Sequence, residues 1–493
     1  MSNASSISNA TAATAFPLQE SALFVLGALA VLPLGIAVVI VAALLRVPVN
    51  PLAIPRPRYP LTLPASKRTI LLLTYGTRGD VQPMVALAVA LRQLDFDPVV
   101  CTVDASRELC ERNGVRFESC GLARTEQPAM LFDTGTDSFD KAIVVLAPVY
   151  GPMAHAMWKV AQRCEPCLIL SQAVVRGIGA AIAEKLGVAQ WNVHFAPSNT
   201  PTKEFPPPDY AASRFGFVNK LMYTHRDYLI ARAIVDCGIA KTHDDFRERT
   251  LGLPRLGLGT IVSDISLEPS LHAYSPELQA KPADWPAWVF VVGAFALPGE
   301  DERAPPARLA QFVSGGDVVY VGFGSMEGTA DVLRRFVHAA RNELKLRVVV
   351  GATREAYAAA GLHDDDDDSG VVRAEDVSHA WLFPRCACVV HHGGAGTTMT
   401  ALKAGARMVV VPLLRWSDQP FWAAVVAKRR AGVVAARGRD ATRAECAALL
   451  REAMALEDVE ALDEGVSGAS VAAALIEHAV AGMYTDSEVR KKM

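Results

Sequence analysis

The sequence predicts an α/β protein: two tandem Rossmann-like domains behind an N-terminal transmembrane helix. Three observations predict it. From residue 69 onward, short β-branched apolar runs alternate with Ala/Leu-rich helical stretches, the pattern of parallel sheets covered on both faces. A charged, proline-bearing break at 297–307 (LPGEDERAPPA) divides that alternation, and each side of it opens with a strand, a glycine-containing loop and a helix. Residues 22–45 (ALFVLGALAVLPLGIAVVIVAALL) carry no charge, and about 20 such residues span a bilayer core.

Composition bounds the rest. A chain of 493 residues is too long for one ordinary domain. A net charge of −3 and a pI near 6.4 give no general electrostatic handle for nucleic acid. Charged residues make up 20% and mean hydropathy is +0.21, apolar for a soluble protein. Nine cysteines, an odd number at low density, read as reduced thiols rather than a disulfide scaffold.

At the N-terminus a cleaved signal peptide is the rival reading of the apolar run. Signal peptides carry a basic leader and a shorter core, whereas residues 1–21 contain no Lys or Arg. Only Glu20 is charged before the span, while Arg46, Arg56, Arg58, Lys67 and Arg68 follow it. The positive-inside rule then predicts a single-pass membrane protein with its body in the cytosol; the endoplasmic reticulum or another endomembrane is the expected location, although the sequence does not give the organelle. Asn3 and Asn9 begin glycosylation sequons that a lumenal tail would expose. Six prolines within 46–68 predict a semi-rigid spacer. The expected division is a polar tail (1–21), the membrane helix (22–45), the linker (46–68), a first Rossmann-like domain (69–297) and a second (308–483).

Strands are expected at 69–75, 98–102, 318–322, 346–350, 387–391 and 408–412, and helices at 82–94, 329–344, 397–404 and 419–431. Residues 200–249 lack clear alternation and are expected to cap the first domain.

Four motifs carry chemistry. In TILLLTYGTRGDVQP, Gly76 and Gly79 allow a tight turn that exposes amides at the mouth of a helix, with Thr77, Arg78 and Asp80 on the same loop. Asp80 is either a plain helix cap or a functional carboxylate at the carboxyl end of a strand. In VVHHGGAGTTMTALKAG, a buried strand ends in His391 and His392, and Gly394, Ala395, Gly396 and Thr397 or Thr398 open a helix suited to a diphosphate. Strand alternation allows only one of the two histidines to reach it. No Lys-Ser/Thr follows these glycines, so this is not a Walker loop. In DQPFW, Asp418 beside Gln419 offers acceptors and donors for vicinal sugar hydroxyls. In VVYVGFGSM, Gly324 and Ser325 end the first strand of the second domain.

Together these motifs resemble the inverting two-Rossmann-domain (GT-B) glycosyltransferases, most of all the UDP-glucose:sterol 3β-glucosyltransferases, and share features with the glycopeptide-antibiotic glycosyltransferases. GTRGDVQP, TPTKEFPPP (201–208 with Thr200 leading), FRERTLGLP, the 270–295 stretch, VGFGSM, HAWLFPRCACVVHHGGAGTT and DQPFW stand in the family's order. The resemblance implies UDP-glucose as donor and a sterol or other lipid as acceptor. It implies Asp80 as general base, with Thr77, Arg78 and Gly79 around donor phosphates and sugar. Ser325, His391, Ala395, Gly396 and Thr397 would bind the diphosphate, with His392 and Gly394 also among the UDP-sugar residues, Asp418 and Gln419 would hold the glucose, and Val377 and His379 would border base and ribose. Amides and imidazole would stabilise the leaving UDP, so no cofactor and no metal are expected. The run PLLRWSDQ is about two residues longer than the family's spacing, and the lipid-binding modules of fungal members are replaced by the membrane helix.

Three further signals read as bland. The run Asp364–Asp368 is a solvated loop rather than a metal site. Cys164 and Cys167 lack a thioredoxin-like context, and Cys386 and Cys388 lack a second pair for zinc. A nicotinamide-dependent dehydrogenase would need G-x-G-x-x-G after the first strand, which is absent. A non-catalytic nucleotide-sugar-binding membrane protein is the remaining alternative of another class.

Overall fold

The computed structural model describes residues 68–122, 139–197, 200–207, 210, 212–256, 268–299, 304–324, 326, 328–363, 370–375, 377–457, 459–463 and 465–480. The expected tail and membrane helix, nearly all of the linker, Ser325 and the aspartate run lie outside them. Among the described residues no helix is long and apolar enough to cross a membrane. All described residues belong to one compact unit, Pro57–Met493.

The first sheet has seven parallel strands: β1 (Thr69–Leu73), β2 (Asp97–Thr102), β3 (Arg116–Ser119), β4 (Leu168–Gln172), β5 (Ala189–His194), β6 (Ser270–His272) and β7 (Val289–Val291), in the order β3-β2-β1-β4-β5-β6-β7. Its helices are α1 (Arg78–Arg92), α2 (Arg107–Arg112), α3 (Phe139–Cys164), α4 (Arg176–Leu186), α5 (Gly216–Asp236) and α6 (Ile239–Asp245). The second domain opens with α7 (Ala307–Ser314) and builds a six-stranded parallel sheet. Its strands are β8 (Val318–Gly322), β9 (Arg347–Gly351), β10 (Val371–Arg373), β11 (Cys388–His391), β12 (Met408–Val410) and β13 (Gly432–Val434), in the order β10-β9-β8-β11-β12-β13. It carries α8 (Ala330–His338), α9 (Arg354–Ala359), α10 (His379–Leu382), α11 (Ala395–Lys403), α12 (Gln419–Lys428), α13 (Arg443–Met454) and finally α14 (Gly468–Val480).

The strands are buried because each sheet is covered on both faces. In β1, Ile70 and Leu72 face one core with α1, while Leu71 and Leu73 face the other with α3 and α4. That two-sided burial is why these strands read as continuous apolar runs rather than alternating ones. Strand order reverses between β1 and β4 in the first sheet and between β8 and β11 in the second. Such switch points leave a crevice beyond the carboxyl ends of the strands, where open α/β sheets bind ligands.

Several elements differ from expectation. Helix α1 starts at Arg78, not at 82, because Thr77 caps it with Asp80 in the third helical position. Strand β4 (LILSQ), the third helix and the full length of α5 were not expected; the 200–249 region folds as α5 and α6 with a following π-helical turn, Phe246–Leu251. The closing helix α14 also departs from a second domain running to 483. Its Ala469, Ala472, Ala473, Ile476 and Ala479 pack with Met84, Val85, Ala88 and Leu91 of α1 in the first domain's core. The chain thus returns to the first domain after completing the second. All nine cysteines are free, including Cys164 and Cys167.

Candidate active site

Both switch points open onto one cavity of about 1420 Å³, lined by the loops that follow β1 and β4 of the first sheet and β8 and β11 of the second. Further contact between the domains is aromatic. Tyr274 meets Trp422 edge-on at 5.9 Å, and Phe205 lies 6.0 Å from Phe421.

On the first-domain side the focus is Asp80. Its Oδ2 accepts the Thr77 backbone N–H at 2.8 Å and the Thr77 hydroxyl at 3.2 Å. Its Oδ1 accepts the Gln172 amide N–H at 3.0 Å. A Cβ at Gly76, whose φ is +151°, would fall 2.1 Å from Asp80 Oδ2, so glycine is required for the carboxylate to fold back over the loop. Asp80 is therefore a helix-capping residue and a cavity-lining carboxylate at once. Burial pushes its pKa up to about 6; the Thr77 hydrogen bonds oppose that rise, and the Asp418 charge adds to it. Thr77 turns its polar groups to Asp80 rather than outward, whereas Arg78 is exposed, bonds Gln82 at 2.7 Å, and its charge is felt by Tyr320 and His379 of the second domain.

On the second-domain side, α11 opens at Gly394, and the first backbone N–H groups of such a helix have no intrahelical partner. Gly394, Ala395, Gly396 and Thr397 line the cavity. Thr398 is buried and bonds back to the Gly394 carbonyl at 2.9 Å, so Thr397 is the hydroxyl on the cavity side. The histidines separate as alternation requires. His392 lines the cavity between Gly324 and Gly394, where a Cβ at Gly394 would come within 2.5 Å of its Nε2. His391 is fully buried, and its Nδ1 accepts the Gly393 N–H at 3.1 Å. The cavity-facing histidine is thus His392 and not the His391 expected at the diphosphate, which belongs to the strand core. Burial lowers both, His392 to about 4 and His391 to about 3, so both rings are neutral at pH 7.

Asp418 precedes α12 and is held by the Trp422 indole N–H, which donates to its Oδ2 at 3.1 Å. Burial lifts its pKa to about 6. Gln419 also lines the cavity, but its Oε1 accepts the backbone N–H groups of Leu413 and Leu414 at 2.7 and 3.0 Å. Those bonds close the long PLLRWSDQ run into a loop and leave only the Gln419 amide nitrogen to turn toward a ligand. Val377 and His379 line the cavity as well; His379 Nε2 lies 3.1 Å from the Tyr320 hydroxyl, and its ring stacks on Phe383 at 4.5 Å. Ser325 lies outside the described residues, between cavity-lining Gly324 and Met326.

Sequence reasoning missed two parts of this site. Gln172 at the end of β4 reaches Asp80 across 92 positions; the available signal was a polar residue closing an apolar strand. The cavity also continues away from the carboxylates along an apolar wall of Ile143, Leu146 and Tyr150 from α3, Ile230 and Ile234 from α5, and Ile239 of α6. Among the described residues no group of three His, Cys, Asp or Glu side chains is placed to hold a metal ion.

Comparison with known proteins agrees with this geometry. Residues 70–206 match the glycosyltransferase family 28 N-terminal domain, and residues 364–468 match the erythromycin biosynthesis protein CIII-like C-terminal domain. Among solved structures, the glycotransferase of kitacinnamycin superposes with a TM-score of 0.58 at 16% identity, covering 84% of this chain and 99% of its own. The spinosyn rhamnosyltransferase SpnG gives 0.52 at 18%, covering 86% and 99%. The chain has the two-domain glycosyltransferase fold, built from these two kinds of domain.

Within that class the chain is similar to sterol 3-beta-glucosyltransferases. One from Arabidopsis thaliana is 31% identical over 72% of this chain and 57% of its own length. One from Saccharomyces cerevisiae is 27% identical over 71% and 30%, and one from Cryptococcus neoformans 28% over 71% and 23%. The chain therefore spans between about a quarter and somewhat over half of the length of these relatives.

Proposed function

We propose that this chain transfers glucose from UDP-glucose to the 3β-hydroxyl of a sterol, inverting the anomeric carbon, with Asp80 as general base. The observation that carries the reading is the meeting, in one cavity, of two carboxylates from different domains, a helix N-terminus suited to a diphosphate, and an apolar wall suited to a fused-ring acceptor.

In this reading the acceptor hydroxyl lies between the apolar wall and Asp80. Its proton passes to the Asp80 carboxylate as its oxygen bonds the anomeric carbon from the face opposite UDP. The bond from that carbon to the β-phosphate oxygen breaks, and its electron pair leaves with UDP. The N–H groups of Ala395, Gly396 and Thr397 and the neutral His392 ring donate to the developing charge, as does Ser325. This is electrostatic catalysis by preorganised donors, and it requires neither a metal nor another cofactor. Asp418 and the Gln419 amide nitrogen hold glucose hydroxyls, and Val377 and His379 border the nucleoside. The sterol is favoured by what the homologues are named for, and by an apolar wall that a sugar or peptide acceptor would not use.

The location follows from the sequence: residues 22–45 anchor the chain, the body faces the cytosol of an endomembrane where UDP-glucose is available, and the acceptor resides in the bilayer. Incubating membranes carrying the full chain with labelled UDP-glucose and a panel of sterols and other lipids tests the whole reading. Labelled sterol glucoside made by the native chain and not by Asp80→Asn is the expected result. Label only in other lipids would reject the sterol and keep the class. Binding of UDP-glucose with no transfer to any acceptor would establish the non-catalytic alternative.

A further inference from the structure

The outer face of α5 presents apolar side chains that nothing described covers. Phe217, Leu221, Tyr228 and Val235, with Thr224 and half-buried Ala231 between them, recur at intervals of four, seven, eleven, fourteen and eighteen residues, one stripe along the whole helix. Of the ten large hydrophobic residues exposed among the described residues, six lie between 215 and 235; Phe217 is 68% exposed and Tyr228 54%. An amphipathic surface helix buries its apolar stripe and shows a polar one; this helix buries one apolar face and exposes another. The exposed stripe is flanked by cations. Arg214 lies over the Phe215 ring at 4.7 Å, half-exposed Lys220 pairs with Asp284 at 4.0 Å, and Arg232 pairs with Asp236 at 3.4 Å.

We propose that the outer face of α5 lies on the phospholipid surface of the membrane. Three features select a bilayer over other occupants. Aromatic rings beside Arg214 suit the headgroup level, where the ring bodies meet acyl chains and the guanidinium meets phosphates. The stripe is too small for a stable pairing with a second copy. A helix of 21 residues is about 30 Å long and about 10 Å wide, so its face covers roughly 300 Å² against about 800 Å² per partner in a standard interface. The third feature is continuity with the site. Leu229 is exposed and also lines the cavity, and Ile230 and Ile234 on the reverse side form its apolar wall. A helix resting on the bilayer would bring the mouth of that wall to the depth at which a membrane-resident acceptor emerges. This last step rests on the proposed acceptor class; the contact with lipid does not.

The test is a photo-crosslink made with the full chain in phosphatidylcholine–phosphatidylserine vesicles. A benzoylphenylalanine replaces Phe217 in one preparation and Val466, equally exposed at 67% but isolated, in another. Illumination is expected to yield lipid adducts at 217 and none at 466. Adducts at 217 to another protein chain, to residues of the same chain, or to nothing at all would overturn the proposal. A second arm uses the combined change Phe217→Glu, Leu221→Glu and Tyr228→Glu. Transfer to acceptor dispersed in cyclodextrin should stay within about twofold of native, while transfer to acceptor embedded in vesicles should fall at least about tenfold. Equal loss in both would assign the stripe to folding and contradict the proposal. Absence of transfer by the native chain would fail the proposed function alone and leave the crosslink to decide the surface.

Discussion

Asp80 sits where a general base must be held but not neutralised. Three hydrogen bonds stabilise its charged form while burial opposes it, so its pKa rests near 6 rather than at either extreme. In the proposed role the deprotonated form is the active one, so kcat/KM should rise through pH 6 and level above it. Asp418 titrates in the same range, and the limb belongs to the pair. Two substitutions should move that limb in opposite directions. Gln172→Ala removes an N–H donor to the charged carboxylate, raising the pKa and shifting the limb to higher pH. Asp418→Asn removes a negative charge, lowering the pKa and shifting the limb to lower pH, while weakening glucose binding. A pH–rate profile unchanged in both variants would remove Asp80 from the titrating step. Asp80→Asn should reduce kcat by about 10²–10⁴-fold with UDP-glucose affinity nearly intact, checked by single-turnover assay and calorimetry.

The residues of this site were unequally legible for a physical reason. The His391–Thr397 motif is local: a strand end, a turn and a helix start are contiguous in sequence, so its chemistry could be read directly. Which histidine faces the cavity depends on the phase of β11, and that phase is fixed only when Val389 and His391 register against Tyr320 and Gly322 of β8. The bond between Gln172 and Asp80 joins the end of β4 to the first turn of α1 across the switch point, which no local pattern encodes.

At the scale of elements, α12 joins the domains to the site. Trp422 packs on Tyr274 of the first domain and holds Asp418 with its indole N–H. Trp422→Phe keeps most of the packing and loses that bond. It should raise KM for UDP-glucose more than it lowers kcat, which steady-state kinetics will show. Helix α14 was illegible as a first-domain element because its small, apolar composition fits any core; the first sheet supplies the partner, α1. Ile476→Ala should destabilise the chain by about 2–5 kcal/mol, the usual range for a buried aliphatic truncation, measured by urea unfolding. No loss of stability there would mean that α14 does not complete the first-domain core.

For the molecule as a whole, the class was legible because buried parallel strands and helices alternate with little ambiguity, and the break at 297–307 marks the crossing between domains. The apolar wall was not legible, since it is assembled from α3, α5 and α6, which have no shared sequence pattern. The same whole-molecule view predicts that removing residues 1–45 releases a form that still transfers glucose to dispersed acceptor and works poorly on membrane-embedded acceptor. Protease added outside sealed microsomes should digest the body; protection until detergent is added would reverse the topology. Chelation by EDTA should leave activity unchanged, and rescue of a lost activity by Mg²⁺ or Mn²⁺ would return attention to Asp364–Asp368.

If one cavity carries glucose from UDP to a sterol oxygen in a single displacement assisted by Asp80, as proposed, the anomeric linkage of the product records it. Proton NMR of the product formed by the full chain from UDP-glucose, whose sugar is α-linked, and a 3β-hydroxysterol tests it most directly. The account predicts a β-linked 3-O-glucoside from the native chain and none from Asp80→Asn. An α-linked product, or a β-linked product formed at an undiminished rate by the Asp80→Asn variant, would contradict it.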